Sequence, residues 1–399
     1  MSIQLLLTYD FPPMGGGIAR WMAELAKRYP SGSMVVCTGQ YPHSVAVDRQ
    51  FPNLIERLRV PSDRLRTMQG LFVWSRRTEE LARVLQAEFI WCGNIKPAAY
   101  PARWTKARLG TPYGILLHGG DLLILRKQAQ RSRVKRRTAR ALLGSAAALV
   151  TNSSWTANLC RDVLTELELP SRSDRIHTVP LGTDPDFFRP GLDSAEVRAR
   201  YRLDHHRWLL SVARLTPHKG LDTGLRVLAQ LRSSYPDLGY AVVGSGDELS
   251  NLQRLAHTLG LADHVRFLTD VPDRDLPGIY NAAEVYLGLS RTMQQSVEGF
   301  GISLLEAGAC GLPVVAGREG GIPDAVRHGE TGLLVDPQNL PEIARGLREV
   351  LDDKPLATRL GQGGRHAVET YYNWNRVAAD IARLGQDLGR RVRAEGKLP

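Results

Sequence analysis

The sequence predicts an α/β protein built from two doubly wound parallel sheets, one in each half of the chain. Short apolar runs alternate with helical stretches throughout, as strands and crossover helices do in parallel layers. At 399 residues the chain exceeds what one core of ordinary size organises. A stretch dense in Pro, Gly and Asp, from Val179 to Gly191, separates two such alternating series and reads as a turn-rich connector.

Taken in order, the first half predicts strands at Ile3–Thr8, Met34–Thr38, Leu54–Val60, Phe89–Cys92, Tyr113–His118, Ala147–Thr151 and Ile176–Val179. Helical patterns such as Ile18–Arg28 and Leu71–Gln86 fill the gaps. The second half repeats the scheme at Trp208–Val212, Gly239–Val243, Val265–Leu268, Val285–Leu289, Pro313–Ala316 and Gly332–Val335. These patterns place one domain over residues 1–185 and another over 186–373. From Trp374 the chain reads as one amphipathic helix, with Val377, Ile381, Leu384 and Leu388 on one side and a basic tail. Residues 374–399 are thus a terminal helix that can cross back to the first domain.

The bulk properties narrow the functional class. Hydrophobic residues make up 43% and charged residues 23%, an ordinary globular balance. No apolar run approaches the roughly 18 to 20 residues a membrane-spanning helix needs. Residues Ile3–Leu7 lack a basic leader and read as a first core strand. Cys37, Cys92, Cys160 and Cys310 are far apart and form no C-x-x-C pair, which argues against a disulfide framework or a thiolate metal site and fits a reducing cytoplasm. The formal charge of +11 is uneven, with 26 Lys and Arg against 14 Asp and Glu up to residue 185. Much of the excess lies in Arg126–Arg140. The first half is therefore expected to meet something anionic, such as a phospholipid surface or a phosphorylated acceptor. Eight cations on one helix cannot share a face, so a solvated charged helix competes with peripheral docking at the inner face of the membrane. The stretch contains no aromatic residue, which argues against nucleic acid.

In doubly wound domains, ligands bind at the carboxyl ends of the strands. The first strand leads into Gly15-Gly16-Gly17 and a helix, which suits a phosphate held by free backbone N–H groups and equally suits a flexible turn. The G-x-G-x-x-G spacing of dinucleotide binding is absent, and Gly244-Ser245-Gly246 reads as a tight strand-to-helix turn. In the second half Arg214 ends a strand and Lys219 comes before the next helix, two cations able to neutralise a diphosphate or to form a solvated surface pair. The strand Val285–Leu289 leads to Glu298-Gly299-Phe300-Gly301-Ile302-Ser303, with Glu306 in the helix beyond. Outward amides at that helix start suit phosphates, and the two carboxylates suit hydroxyls. No Asp-x-Asp motif is placed to bind a divalent ion.

Arg214, Lys219 and Glu298-x7-Glu306, in that order, resemble the donor site of the retaining glycosyltransferases of family 4, which share the two-domain GT-B fold. Val271–Pro277, Gly311–Ala316, Gly320–Asp324 and His328–Val335 extend the resemblance over nearly all of residues 180–375, and more loosely over the first half. The resemblance implies that Arg214 and Lys219 hold the diphosphate, Glu306 the ribose hydroxyls and Glu298 the donor sugar. It implies amides of Gly299, Phe300 and Gly301 on sugar hydroxyls, with Ile302 and Ser303 near the phosphates, and Val271 against the base. In the first half it implies Gly16 and Gly17 over the diphosphate and His118 as the active-site histidine. Asp121 would orient His118 or meet the acceptor. The implied activity is metal-independent hexosyl transfer, with retention, from a UDP-, GDP- or ADP-sugar to a glycan, lipid-linked or small-molecule acceptor. No cofactor is implied. A non-catalytic nucleotide-sugar-binding module and a GT-B epimerase are the alternatives; the first should lack Lys219, Glu298 or His118, all of which are present.

Overall fold

The structure is a computed structural model that describes residues 2–203, 207–293 and 296–395. Two compact units emerge, Met1–Leu181 with Trp374–Pro399, and Gly182–Asn373. The break falls at Leu181/Gly182, a few residues ahead of the expected 185/186.

The first unit holds a seven-stranded sheet: β1 (Gln4–Leu7), β2 (Met34–Gln40), β3 (Leu54–Pro61), β4 (Phe89–Cys92), β5 (Tyr113–Leu117), β6 (Ala148–Thr151) and β7 (Ile176–Thr178). Its order is β3-β2-β1-β4-β5-β6-β7 and every pairing is parallel. The central strands are buried on both faces, which is why they read as continuous apolar runs. The second unit holds β8 (Arg207–Val212), β9 (Leu238–Val243), β10 (Val265–Leu268), β11 (Val285–Gly288), β12 (Val314–Gly317) and β13 (Leu333–Val335), in the order β10-β9-β8-β11-β12-β13, again all parallel. The order reverses between β1 and β4 in the first sheet and between β8 and β11 in the second. Those switch points are where loops diverge and leave room for a ligand.

The chain leaves the second unit at Asn373, and the helix Trp374–Glu395 packs on the first. Its buried face runs through Trp374, Val377, Ala378, Ile381 and Ala382 and continues along Gly385 and Gly389, with Leu384 and Leu388 only half buried. A Cβ on Gly385 would stand 2.1 Å from Gln4 Oε1. That close approach lets Gln4 Nε2 donate to Ala382 O at 3.1 Å, while Gln4 Oε1 accepts from Tyr29 and Trp91.

The basic stretch Arg126–Arg140 is not one helix. Ser132 leaves helical geometry and caps a second helix, accepting from Lys135 N, so Gly120–Arg131 and Arg133–Ser145 form a pair. Arg126 pairs with Glu166, and Arg136 and Arg140 pair with Glu168, which neutralises part of the charge.

Candidate functional site

The site residues of the second unit flank its switch point. After β8 the chain runs through Arg214 to Lys219, held down by Gly244 and Gly246. Both glycines have positive φ, and a Cβ on either would strike Ala213 O or Leu215 O at 2.0 and 2.4 Å. That tight packing matches the turn expected of Gly244-Ser245-Gly246. Gly220, at φ 67°, lies so close to Leu289 that a Cβ would meet its carbonyl at 2.1 Å. The loop after β8 is thereby pressed against the end of β11, which brings Lys219 to Glu298.

The Lys219 ammonium donates to Glu298 Oε2. Burial acts to raise the Glu298 carboxyl, but Lys219, with His218 and Arg214, outweighs it and holds the group below the usual carboxylate range. The main chain at Glu298 is clasped from the other side, where Gly321 N donates to its carbonyl at 2.8 Å. Beyond it Gly301, at φ 100°, starts the helix Ile302–Ala309; Leu304 N bonds back to Gly301 O at 3.1 Å, and the amides of Ile302 and Ser303 have no intrahelical partner. The Phe300 ring is buried, so that residue offers a ligand only its backbone. Glu306 is 3% exposed and its Oε2 accepts from Tyr280 Oη at 2.7 Å. Tyr286 ties the parts together: its hydroxyl is 2.8 Å from Ser303 Oγ and 3.2 Å from Val212 O. Between β8 and β11 lies a small cleft, partly open to solvent, lined by Ser211, Val212, Lys219, Tyr286, Glu298 and Ser303 among others. Arg214 is exposed beside it, and Val271 lies beyond the edge strand β10 at the same end of the sheet.

His218, Tyr280, Tyr286 and Ser290 belong to this site and escaped the sequence reading. His218 is buried beside Lys219 and is held down to about 4, by burial first and then by the neighbouring Lys219 charge. Its place between Pro217 and Lys219 was visible; its burial was not. The tyrosines sit on a short helix and on β11 without any motif, and only the fold brings them to Glu306 and Ser303.

The first unit holds Gly16, Gly17, His118 and Asp121. Gly16 adopts φ 115° at the start of the helix Gly17–Arg28, and Gly15, Gly16 and Gly17 have open space where a Cβ would stand. His118 stands just past β5. Its ring packs edge-on against Trp21 at 4.9 Å, and its Nε2 lies 2.6 Å from Gly93 O. A carbonyl only accepts, so Nε2 is the donor in this contact. Asp121 Oδ1 accepts from the main-chain N–H of His118 at 3.0 Å and of Leu122 at 2.9 Å, while Oδ2 is enclosed without a partner among the described residues. Burial pushes this carboxyl up. Asp121 therefore grips the backbone of His118, and Gly93 and Trp21 grip its ring.

Residues 15–187 match the family model for Glycosyltransferase Family 4, and residues 193–367 match that for glycosyl transferases group 1. A GDP-mannose-dependent alpha-(1-6)-phosphatidylinositol monomannoside mannosyltransferase of Mycobacterium tuberculosis is 33% identical over 391 residues, covering 96% of this chain and 97% of its own. The chain belongs to the retaining glycosyltransferases of family 4. A D-inositol 3-phosphate glycosyltransferase of Corynebacterium jeikeium is 37% identical over 224 residues, 53% of this chain and 52% of that protein. Among solved structures, Anabaena HepE in complex with UDP has a TM-score of 0.78 at 21% identity, covering 97% of this chain and 100% of that one; it supports the GT-B fold.

This glycosyltransferase moves a hexosyl unit from a nucleotide sugar to an acceptor hydroxyl. Among its described residues no three His, Cys, Asp or Glu side chains converge as metal ligands would. Nor, among them, is any helix long and apolar enough to cross a membrane.

Proposed function

We propose that this transferase carries mannose from GDP-mannose to an inositol-containing, phosphate-bearing acceptor such as a phosphatidylinositol mannoside, without a metal ion. The donor and lipid come from the full-length relatives, which are named for GDP-mannose and phosphatidylinositol monomannoside at 33% and 31% identity. The inositol phosphate alternative comes from relatives matching part of the chain.

The observation that carries the chemistry is the Lys219–Glu298 pair facing the start of the helix Ile302–Ala309. Cleaving the anomeric C–O bond leaves cationic character on the sugar and negative charge on the diphosphate. Arg214, Lys219 and the amides near Ile302 and Ser303 meet that negative charge with fixed positive ends, which is why no metal is required. Glu298, ionised and held by Lys219, receives the donor-sugar hydroxyls, and Glu306, oriented by Tyr280, receives those of the ribose. Val271 lies against the base. For Gly16, Gly17 and His118 of the first unit the proposed roles are those the family resemblance implies, in diphosphate and donor-sugar recognition. The departing phosphate oxygen takes the acceptor proton on the face from which it leaves, so configuration is kept.

Work at the inner, anionic face of a membrane fits the helices around Ser132. Arg131, Arg133, Lys135 and Arg137 are exposed on these two helices, as are the apolar Ile124 and Val134, 52% and 72% exposed. The test is transfer by the purified chain from GDP-mannose, UDP-glucose, UDP-N-acetylglucosamine and ADP-glucose to phosphatidylinositol monomannoside in anionic liposomes, with and without EDTA. An α-mannosylated lipid formed from GDP-mannose alone, unaffected by EDTA, is expected. Preference for a UDP or ADP donor, or loss of activity on chelation, would reject the corresponding part of the reading.

A further inference from the structure

The loop that leaves β1 ends in Gly15-Gly16-Gly17, and among the described residues no atom lies within 4 Å of where a Cβ would stand on any of the three. Such a segment has a wide choice of backbone conformations, so the direction of its amides depends on what fixes its two ends. One end is the helix Gly17–Arg28. The other is Phe11-Pro12, and a side chain from a distant strand grips it.

That side chain is Arg57 on β3, 45 residues from Pro12. Its Nη2 donates to Pro12 O, and its Nη1 donates to Gly39 O at 2.9 Å. Gly39 sits where the β2–β3 ladder shifts register, between Thr38 and Gln40. Asp48, the last residue of the short helix Ser44–Asp48, takes the remaining edge of the guanidinium, accepting from Nε at 3.1 Å and from Nη2 at 2.8 Å. The guanidinium also lies 5.5 Å from the centre of the buried Phe11 ring, which packs on Phe51 at 5.1 Å. From there Met14 N donates to Phe11 O at 3.2 Å, a turn that leads directly into Gly15. The Arg57 and Asp48 side chains are 11% and 19% exposed, so the pair is shielded from water and tied to two carbonyls, unlike a surface ion pair. Only a planar fork makes all these bonds at once. A lysine ammonium in its place could stay beside Asp48 but could not also reach both carbonyls.

We infer that Arg57 is a positioning residue for nucleotide-sugar binding: through Phe11 and Pro12 it sets where the amides of Gly16 and Gly17 meet the diphosphate. The inference rests on the proposed role of those two glycines, and the two are tested apart. Gly17→Pro removes one amide at the first position of a helix, where proline is tolerated, and leaves the Arg57 contacts alone. Arg57→Lys keeps a charge beside Asp48 and releases the loop, whereas Arg57→Met gives up both. For the wild type and each variant the measurements are Tm, the Kd of GDP and of UDP by calorimetry, and KM for nucleotide sugar and for acceptor. Gly17→Pro should weaken nucleotide binding about 10-fold. Arg57→Lys should raise the nucleotide Kd and the nucleotide-sugar KM about 5- to 10-fold. Its acceptor KM should stay unchanged and its Tm within about 3 °C of wild type. Arg57→Met should raise the same two constants at least as much and lower Tm as well. A purely structural contact would divide the effects the other way, with a lower Tm and no change in the constants of the folded enzyme. Unchanged nucleotide Kd and KM in Arg57→Lys, or equal rises in donor and acceptor KM, would overturn the inference, and a weakened Gly17→Pro would then leave the glycine reading standing. Unchanged affinity in Gly17→Pro would refute the glycine reading and this inference with it.

Discussion

Replacing Lys219 with Met separates the two jobs the ion pair can have. The Lys219 and Glu298 side chains are only 15% and 20% exposed. Deleting the ammonium strands a carboxylate that has His218 and an exposed Arg214 for company. Breaking a fully buried pair costs about 3 to 5 kcal/mol; with a fifth of each side chain in contact with water, about 2 to 3 kcal/mol is the fair expectation. For a domain of this size that lowers Tm by about 5 to 10 °C. Turnover should fall further, by about 100- to 1000-fold, because a preorganised charge at the leaving group acts most strongly as that charge develops. The decisive variant is Lys219→Met combined with Glu298→Gln. It removes the stranded charge, so calorimetry should show stability returning to within about 1 kcal/mol of wild type, while steady-state mannosyl transfer stays low. A double variant that regains turnover together with stability would make the pair a structural contact and refute its place in the chemistry.

The site carries two further expected outcomes. His218 refuses a proton until about pH 4, whereas an unfolded histidine accepts one near 6.5; the unfolded state therefore binds more protons across that window, and stability should drop as pH falls from about 6.5 to 4, by on the order of 3 kcal/mol. A His218→Asn chain whose Tm falls as steeply as the wild type's between those values would show that another group is responsible. Tyr280→Phe deletes one hydrogen bond to the buried Glu306 without opening a cavity, so GDP affinity by titration should weaken about 5- to 30-fold and Tm should fall by about 2 to 10 °C; unchanged affinity would show that Glu306 needs no help from the tyrosine.

Much of the architecture was legible in the chain because strands buried on both faces are written as unbroken apolar runs. β4 and β10 coincide with their expected limits, and the other strands differ by a residue or two at their ends. The terminal helix shows where pattern reading stops. Leucine spacing points to Leu384 and Leu388, but the line of closest approach runs along Gly385 and Gly389, where the Gln4 and Trp91 side chains and the Glu88 carbonyl leave no room for a Cβ. Charge alone carries no signal for a break in the basic run; Ser132 supplies one by capping the helix that begins at Arg133.

Residue order alone determined the fold class, the strand-end positions of Arg214, Lys219, Glu298 and His118, and the uneven charge, because each depends on local composition or on spacing along the backbone. Which groups touch was decided only in three dimensions. Glycine contacts at Gly220 and Gly320 draw two distant loops together until Lys219 meets Glu298. Tyrosines with no motif reach Glu306 and Ser303. Burial and pairing are properties of neighbours remote in sequence, and the energies that set protonation and affinity arise from them.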